Sequence, residues 1–206
     1  MIDKLWYSII FDWWGRQDNY VEVWVEKDAL SGVISQPCNE YRVPYMACKG
    51  YMSSSAAWEA GQRFKTQQEN GKNCVLIHLG DHDPSGIDMT RDNGDRLFLF
   101  SENNVEVRRI ALNMSQIRQY NPPPNPAKLS DSRSNEYVRQ YGDSSWELDA
   151  LEPRIMAKLI EDEIKSLIDF EIWESTKAEE VKNEDILKNL SNNWPDVQDF
   201  LATLEN

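Results

Sequence analysis

Two carboxylates, Asp81 and Asp83, flank His82 in the stretch Gly80-Asp81-His82-Asp83-Pro84-Ser85-Gly86. They close an apolar run, Asn73-Cys74-Val75-Leu76-Ile77-His78-Leu79, with the length of a buried strand. Like charges gathered there must be neutralised by protonation, hydrogen bonds or a cation. A divalent metal is the simplest neutraliser, and open α/β sheets bind ligands at the carboxyl ends of their strands. A third carboxylate, Glu26, stands where an earlier strand, Tyr20-Val21-Glu22-Val23-Trp24-Val25, stops. If the two strands are parallel in one sheet, Glu26, Asp81 and Asp83 meet at one edge. Such oxygen donors suit Mg²⁺ or Mn²⁺, which keep waters and take substrate phosphate oxygens. An ion of this kind stabilises charge developing on a phosphodiester. Glu26 would be a ligand or, with its pKa raised by burial, a general acid or base.

The elements that must position these residues alternate strand with helix. Tyr20–Val25 has the β-branched, alternating pattern of a strand, followed by a short helix ending at Gly32. A second strand is expected over Tyr41–Cys48, with Pro44 at its start or edge. Ser53, Ser54 and Ser55 offer hydroxyl caps for a helix to about Gln68, where Asn70-Gly71 stops it. The Asn73–Leu79 strand follows, then a helix from Ile87 to about Leu99 and a fourth strand over Val105–Leu112. This order predicts an α/β fold with a mostly parallel sheet of about four strands between helices. Asn121-Pro122-Pro123-Pro124-Asn125-Pro126 excludes regular helix or central strand, and a surface loop is expected after it, through Arg133. Pro153 opens a long helix with Ile155, Leu159, Ile160, Ile164, Leu167 and Ile168 on its apolar face. The tail from Lys182 reads as one or two short acidic helices broken at Trp194-Pro195. The expected organisation is an aromatic N-terminal segment over 1–19, an α/β domain over 20–150 and a helical extension over 151–206.

A Glu ending one strand and Gly-Asp-x-Asp-Pro-x-Gly ending a later one resemble the TOPRIM domain of topoisomerases, primases and certain nucleases. Asp83-Pro84-Ser85-Gly86 is most similar to the branch of the topoisomerase VI A subunit and its meiotic double-strand-break relatives. The likeness runs from about Tyr20 to Leu112. Ala127-Lys128, Asp131-Ser132-Arg133 and Trp146-Glu147-Leu148-Asp149-Ala150-Leu151 are similar to blocks of bacterial and phage proteins with such a domain, a likeness that names no activity. The resemblance implies a Rossmann-like TOPRIM fold in which Asp81 and Asp83 hold Mg²⁺ and Glu26 is a ligand or moves a proton. It implies DNA as substrate and a nuclease or the catalytic part of a topoisomerase-like assembly. Topoisomerases of that branch carry a nucleophilic tyrosine on a preceding winged helix. The first strand here opens at Tyr20, so no such domain is expected ahead of it. Tyr7 and Tyr20 read as core or surface residues, and hydrolysis by water is expected over a tyrosyl intermediate.

Other assignments compete. Asp81-x-Asp83-x-Ser85-Gly86 spells the start of a calcium loop, but such a loop needs a preceding helix, an apolar residue where Asp88 stands and a Glu where Asp92 stands. Asp81 could be the nucleophile of a haloacid-dehalogenase-type phosphatase; that motif usually opens its domain, and Glu26 would be unexplained. A TOPRIM-like scaffold binding a protein partner through the acidic C-terminal helices is the reading from a different class. Glu147 and Asp149 could reach the metal edge or cap a helix. Lys128, Arg109 and Arg133 could clamp phosphates or simply form salt bridges. His78 is expected to be a packed strand residue and His82 to point away from the carboxylates. Trp13 and Trp14 read as core rather than as a base-stacking platform.

The net charge of −13 weighs against broad electrostatic binding of nucleic acid, although a carboxylate-rich metal edge is itself acidic. Three cysteines without CxxC spacing predict a reduced, cytoplasmic protein. The first residues have no signal-peptide pattern, and no apolar run reaches membrane-spanning length. A homodimer would suit a duplex with two strands to cut.

Overall fold

The computed structural model describes residues 11–127 and 133–204. The chain forms two compact units, Asp18–Ile168 and the described parts of Met1–Gln17 with Asp169–Asn206.

The larger unit is α/β. Its sheet holds β1 (Asn19–Val25), β2 (Tyr45–Ala47), β3 (Asn73–Leu79) and β4 (Glu106–Ala111), all parallel in the order β2-β1-β3-β4. Between them run α1 (Ser31–Glu40), α2 (Ser54–Glu69) and α3 (Pro84–Ser101). Then come α4 (Met114–Tyr120), a two-residue antiparallel ladder of β5 (Asn125–Pro126) with β6 (Ser144–Ser145), α5 (Ser134–Tyr141) and α6 (Pro153–Ser166). Side chains alternate across the sheet. Trp24, Cys74 and Leu76 on one face pack with Ala57, Ala60 and Phe64 of α2 and Leu97 of α3. α1 and α6 pack together elsewhere in the unit, and Arg108 of β4 pairs with Glu163 of α6.

Several boundaries differ from the sequence reading. Gly32 does not stop a helix, because α1 continues to Glu40 on buried Ile34 and Cys38. β2 starts only at Tyr45, since Arg42 is left-handed at φ 51° and Pro44 has no N–H for a ladder. α3 starts at Pro84, ahead of the expected Ile87, because Asp83 caps it and proline suits the first helical position. α4 and α5 were not anticipated. The helix opened by Pro153 ends at Ser166, buries Met156 with Ile160 and Ile164, and belongs to the unit of the sheet rather than to a C-terminal extension. The loop expected after Pro126 lies largely outside the described residues.

The alternation read in β1 also has another cause. It suggests a strand with one wet face, yet β1 is central and Glu22 is 1% exposed. Arg63 grips Glu22 through two bonds of 2.9 Å, and Tyr20 Oη and Trp24 Nε1 donate to it at 2.7 and 2.8 Å.

In the smaller unit α7 (Phe170–Asn192) is one 23-residue helix, not a run of short ones from Lys182. Asp169 caps it by accepting from the N–H groups of Glu171 and Ile172. α8 (Trp194–Leu204) follows, with Trp194-Pro195 opening it. Trp13 and Trp14 meet Trp173 edge-on at 5.0 and 5.5 Å, and Trp13 Nε1 donates to Glu180 at 2.7 Å. Trp14 and Trp173 are core residues, and Trp13 packs half-buried beside them. Among the described residues no helix is long and apolar enough to cross a membrane.

Candidate functional site

Parallel pairing of β1 with β3, in register from Asn19↔Asn73 to Val25↔Leu79, brings the carboxyl ends of the two strands together. The Glu26 N–H carries the ladder one step further, donating to the Leu79 carbonyl at 3.0 Å. Its side chain turns across the strand end, where Glu26 Oε2 accepts the Asp81 N–H at 2.9 Å. Two glycines make room for it. A Cβ at Gly80 would stand 3.0 Å from Glu26 Oε2, and one at Gly86 would stand 3.0 Å from the same oxygen and 2.2 Å from the Asp81 carbonyl oxygen. Gly86 has no room for a side chain against the Asp81 backbone, whereas at Gly80 the neighbouring side chains of Glu26, Arg109 and His78 would have to give by a few tenths of an ångström.

Asp83 has a structural task of its own. Its Oδ1 accepts the Gly86 N–H at 2.7 Å and so caps α3. Asp81 is held from two sides: Oδ1 accepts the Leu148 N–H at 2.7 Å, and Oδ2 lies 3.2 Å from Lys27 Nζ. Among the described residues, no hydrogen bond reaches Glu26 Oε1 or Asp83 Oδ2.

Burial, then the charges of Asp81 and Asp83, push Glu26 up to about 7; the Asp81 N–H and Arg109 oppose this. Burial also raises Asp81, against the Leu148 N–H and Lys27. The edge thus has more carboxylate than cation, and Glu26 carries the deficit.

Lys27, next along the chain from Glu26, was not singled out in the sequence. Its ammonium is shared by Asp81 at 3.2 Å, Glu147 at 2.5 Å and Asp149 at 3.4 Å. Burial alone would lower its pKa, but these three carboxylates outweigh it and hold the group charged. Glu147 and Asp149 therefore reach the carboxylate edge through Lys27. Glu147 stands at the N-cap of the short 3₁₀ turn Leu148–Ala150 and its carbonyl accepts the Ala150 N–H at 3.2 Å, but no side chain makes a capping hydrogen bond there. The signal available in the sequence was a lysine directly after the strand-ending glutamate.

The segment bearing Glu147 is fixed by His82. His82 and Trp146 exchange backbone bonds of 2.8 and 3.0 Å, and Leu148 is fully buried. His82 Nδ1 lies 2.7 Å from Tyr137 Oη, with Tyr141 and Trp146 edge-on to its ring. Burial and Arg109 lower its pKa to about 4, so it is neutral. His78 lies buried 2.9 Å from Thr90 Oγ1, and its pKa falls to about 3 by burial and by Arg109. Neither histidine joins the carboxylates.

Arg109 lies beneath the edge without gripping a carboxylate. Its Nη2 donates to the carbonyls of Gly80, Asp81 and Leu112 at 2.8, 2.6 and 3.3 Å. Its Nη1 donates to the Gly86 carbonyl at 3.0 Å and to Thr90 Oγ1 at 2.8 Å. A guanidinium spent on backbone carbonyls shapes the Gly80–Gly86 turn and is no phosphate clamp. Arg133 pairs with Asp88 at 3.0 Å and bonds to Tyr51 Oη, an ordinary ion pair over the first turns of α3. Asp92 pairs with Arg96 along α3 at 2.9 Å, so the calcium-loop spelling gathers no ligand there. Lys128 and Tyr7 lie outside the described residues.

Among the described residues no group of three or more His, Cys, Asp or Glu side chains is arranged to hold a metal ion. The donor chemistry nevertheless suits a hard divalent cation: Glu26 and Asp83 each keep an oxygen without a hydrogen bond, and Asp81 spends one on an ammonium. Comparison with protein-family models, with curated proteins and with solved structures finds no match.

Proposed function

We propose that this chain is a TOPRIM-type protein that acts on nucleic-acid phosphodiesters with Mg²⁺ or Mn²⁺, as a nuclease or the catalytic part of a topoisomerase-like assembly. One observation carries the reading. Glu26 crosses from the end of β1 to the Asp81–Asp83 turn, and glycines at 80 and 86 clear the space it needs. A carboxylate raised to about 7 beside two others is settled by taking up a proton or a cation. Glu26 and Asp83 would hold the ion through their remaining oxygens, with Asp81 as the third ligand. When bound, the ion would stabilise charge developing on the phosphodiester. Glu26 can also hold or release a proton near neutral pH, as a general acid or base must.

The test is cleavage of plasmid and single-stranded DNA in Mg²⁺ or Mn²⁺, with Asp83→Asn and Glu26→Gln beside the parent. The expected result is metal-dependent cleavage that falls at least about a hundredfold in either variant. Cleavage that persists unchanged in both removes the site assignment. The phosphatase reading needs Asp81 to attack a phosphate and leaves Glu26 without a role; phosphate transferred onto Asp81 from a phosphomonoester would favour it.

A scaffold binding a protein partner is the second reading. It is favoured by apolar residues that α7 and α8 leave exposed, Val181, Ile186, Leu190, Phe200 and Leu201. Failure of the parent to bind Mn²⁺ and to cleave would favour it.

A further inference from the structure

Lys27 has no task in the reading above, yet it is the best-bound ammonium of the carboxylate edge. Its side chain is 25% exposed, against 10% for Asp81 and about half for Glu147 and Asp149 at 47% and 53%. The group therefore spans the boundary between a buried carboxylate and two wet ones. It holds the Asp81 oxygen, Oδ2, that the Leu148 N–H leaves open, so a cation arriving at Asp81 would meet the Lys27 charge at contact distance. Two further carboxylates already touch the ammonium, so it can leave Asp81 without entering water unpaired.

We propose that Lys27 is a built-in counter-ion that competes with the divalent cation for Asp81. In the metal-free protein the ammonium offsets the charge of Asp81. When the ion arrives, Lys27 yields Asp81 and keeps Glu147 and Asp149. The exchange moves one cation off a carboxylate as another moves on: the Lys27–Asp81 ion pair opens, a metal–oxygen contact takes its place, and no covalent bond changes. The inference rests on the metal-dependent reading of the same edge. It adds that Trp146–Asp149 is the seat of the displaced lysine, and that metal affinity is set partly by a residue that is not a ligand.

The experiment is Mn²⁺ binding to the full chain, followed by electron paramagnetic resonance and calorimetry. Lys27→Met and Lys27→Gln are compared with the parent and with Lys158→Met. Lys158 pairs with Asp162 on α6 and is 72% exposed, so its loss changes net charge equally without touching the edge. Removing a competing positive charge at contact distance should tighten Mn²⁺ binding roughly tenfold or more in both Lys27 variants. Lys158→Met should bind as the parent does. Circular dichroism melts confirm that each variant is folded; glutamine keeps a donor on Asp81 should methionine unfold the edge. Unchanged or weaker binding in the folded Lys27 variants overturns the inference and leaves the metal reading intact. Equal tightening in Lys158→Met overturns it too, as a bulk charge effect. If the parent binds no Mn²⁺, the metal reading falls and the inference with it.

Discussion

Glu22 and Glu26 lie four residues apart on the same chain segment and meet opposite fates. Glu22 is deep in the sheet, 1% exposed, and fully answered by Arg63, Tyr20 and Trp24. Glu26 stands at the strand end with one backbone N–H on one oxygen and the charges of Asp81 and Asp83 nearby. The more deeply buried carboxylate is the settled one, and the half-buried one is frustrated. Burial alone does not mark a reactive group; burial without a matched cation does. A glutamate locked by a bidentate arginine is architecture, whereas one left short of positive charge at a strand end can take a proton or an ion.

Breaking the settled member should have the largest effect. Glu22→Ala leaves Arg63 without its partner and a void beside Trp24, and should destabilise by about 3 kcal/mol in chemical denaturation. A loss below about 1 kcal/mol would mean that water answers Arg63 equally well. Next comes Gly86→Ala, whose Cβ would meet the Asp81 carbonyl oxygen at 2.2 Å. It should cost about 2 kcal/mol by overpacking. Gly32→Ala, with nothing within 4 Å, should be neutral or stabilising by about 0.5 kcal/mol. Equal effects at the two glycines would show that the turn yields easily.

Glu26→Gln sharpens the comparison through pH. The folded pKa of Glu26 lies at about 7, above its ordinary value of 4.5. Ionisation therefore costs the folded state more than the unfolded one, and this contribution to stability falls as pH rises from 4.5 to 7. Glutamine does not ionise. Relative to the parent, its Tm should be similar at pH 4.5 and higher by a few degrees at pH 8. A difference that stays flat across that window would place Glu26 among ordinary surface carboxylates. Among the destabilising substitutions the smallest loss is expected from Tyr20→Phe, which removes one of several donors to Glu22 and should cost about 1 kcal/mol.

The strand ends that carry Glu26, Asp81 and Asp83 were legible because each is announced locally. An apolar run of strand length stops at a glycine and the carboxylates follow at once. The Asp-Pro pair that opens α3 is a local signal that the sequence reading passes over, since it places the helix from Ile87. Parallel pairing followed from the alternation of strands with helices. The same local signal misled at Glu22, where alternation came from a buried ion pair and not from solvent. Arg109 was equally opaque, because an arginine bound to carbonyls and one facing solvent are spelled alike.

By itself the sequence determined that two strands of this chain end in carboxylates and that a helix follows the second of them, although its expected start was Ile87 and not Pro84. Both follow from period and strand length, which act over a few residues. Only the tertiary structure decided what those carboxylates meet. Lys27 touches Glu147 across 120 residues of chain, and Asp81 takes the Leu148 N–H across 67. The clearance at Gly86 is set by the packing of Glu26 and Asp81 against it, not by its own backbone conformation. Contacts so distant in sequence leave no periodic trace, because the fold that brings them together is built by the sheet and its helices, not by the contacting residues.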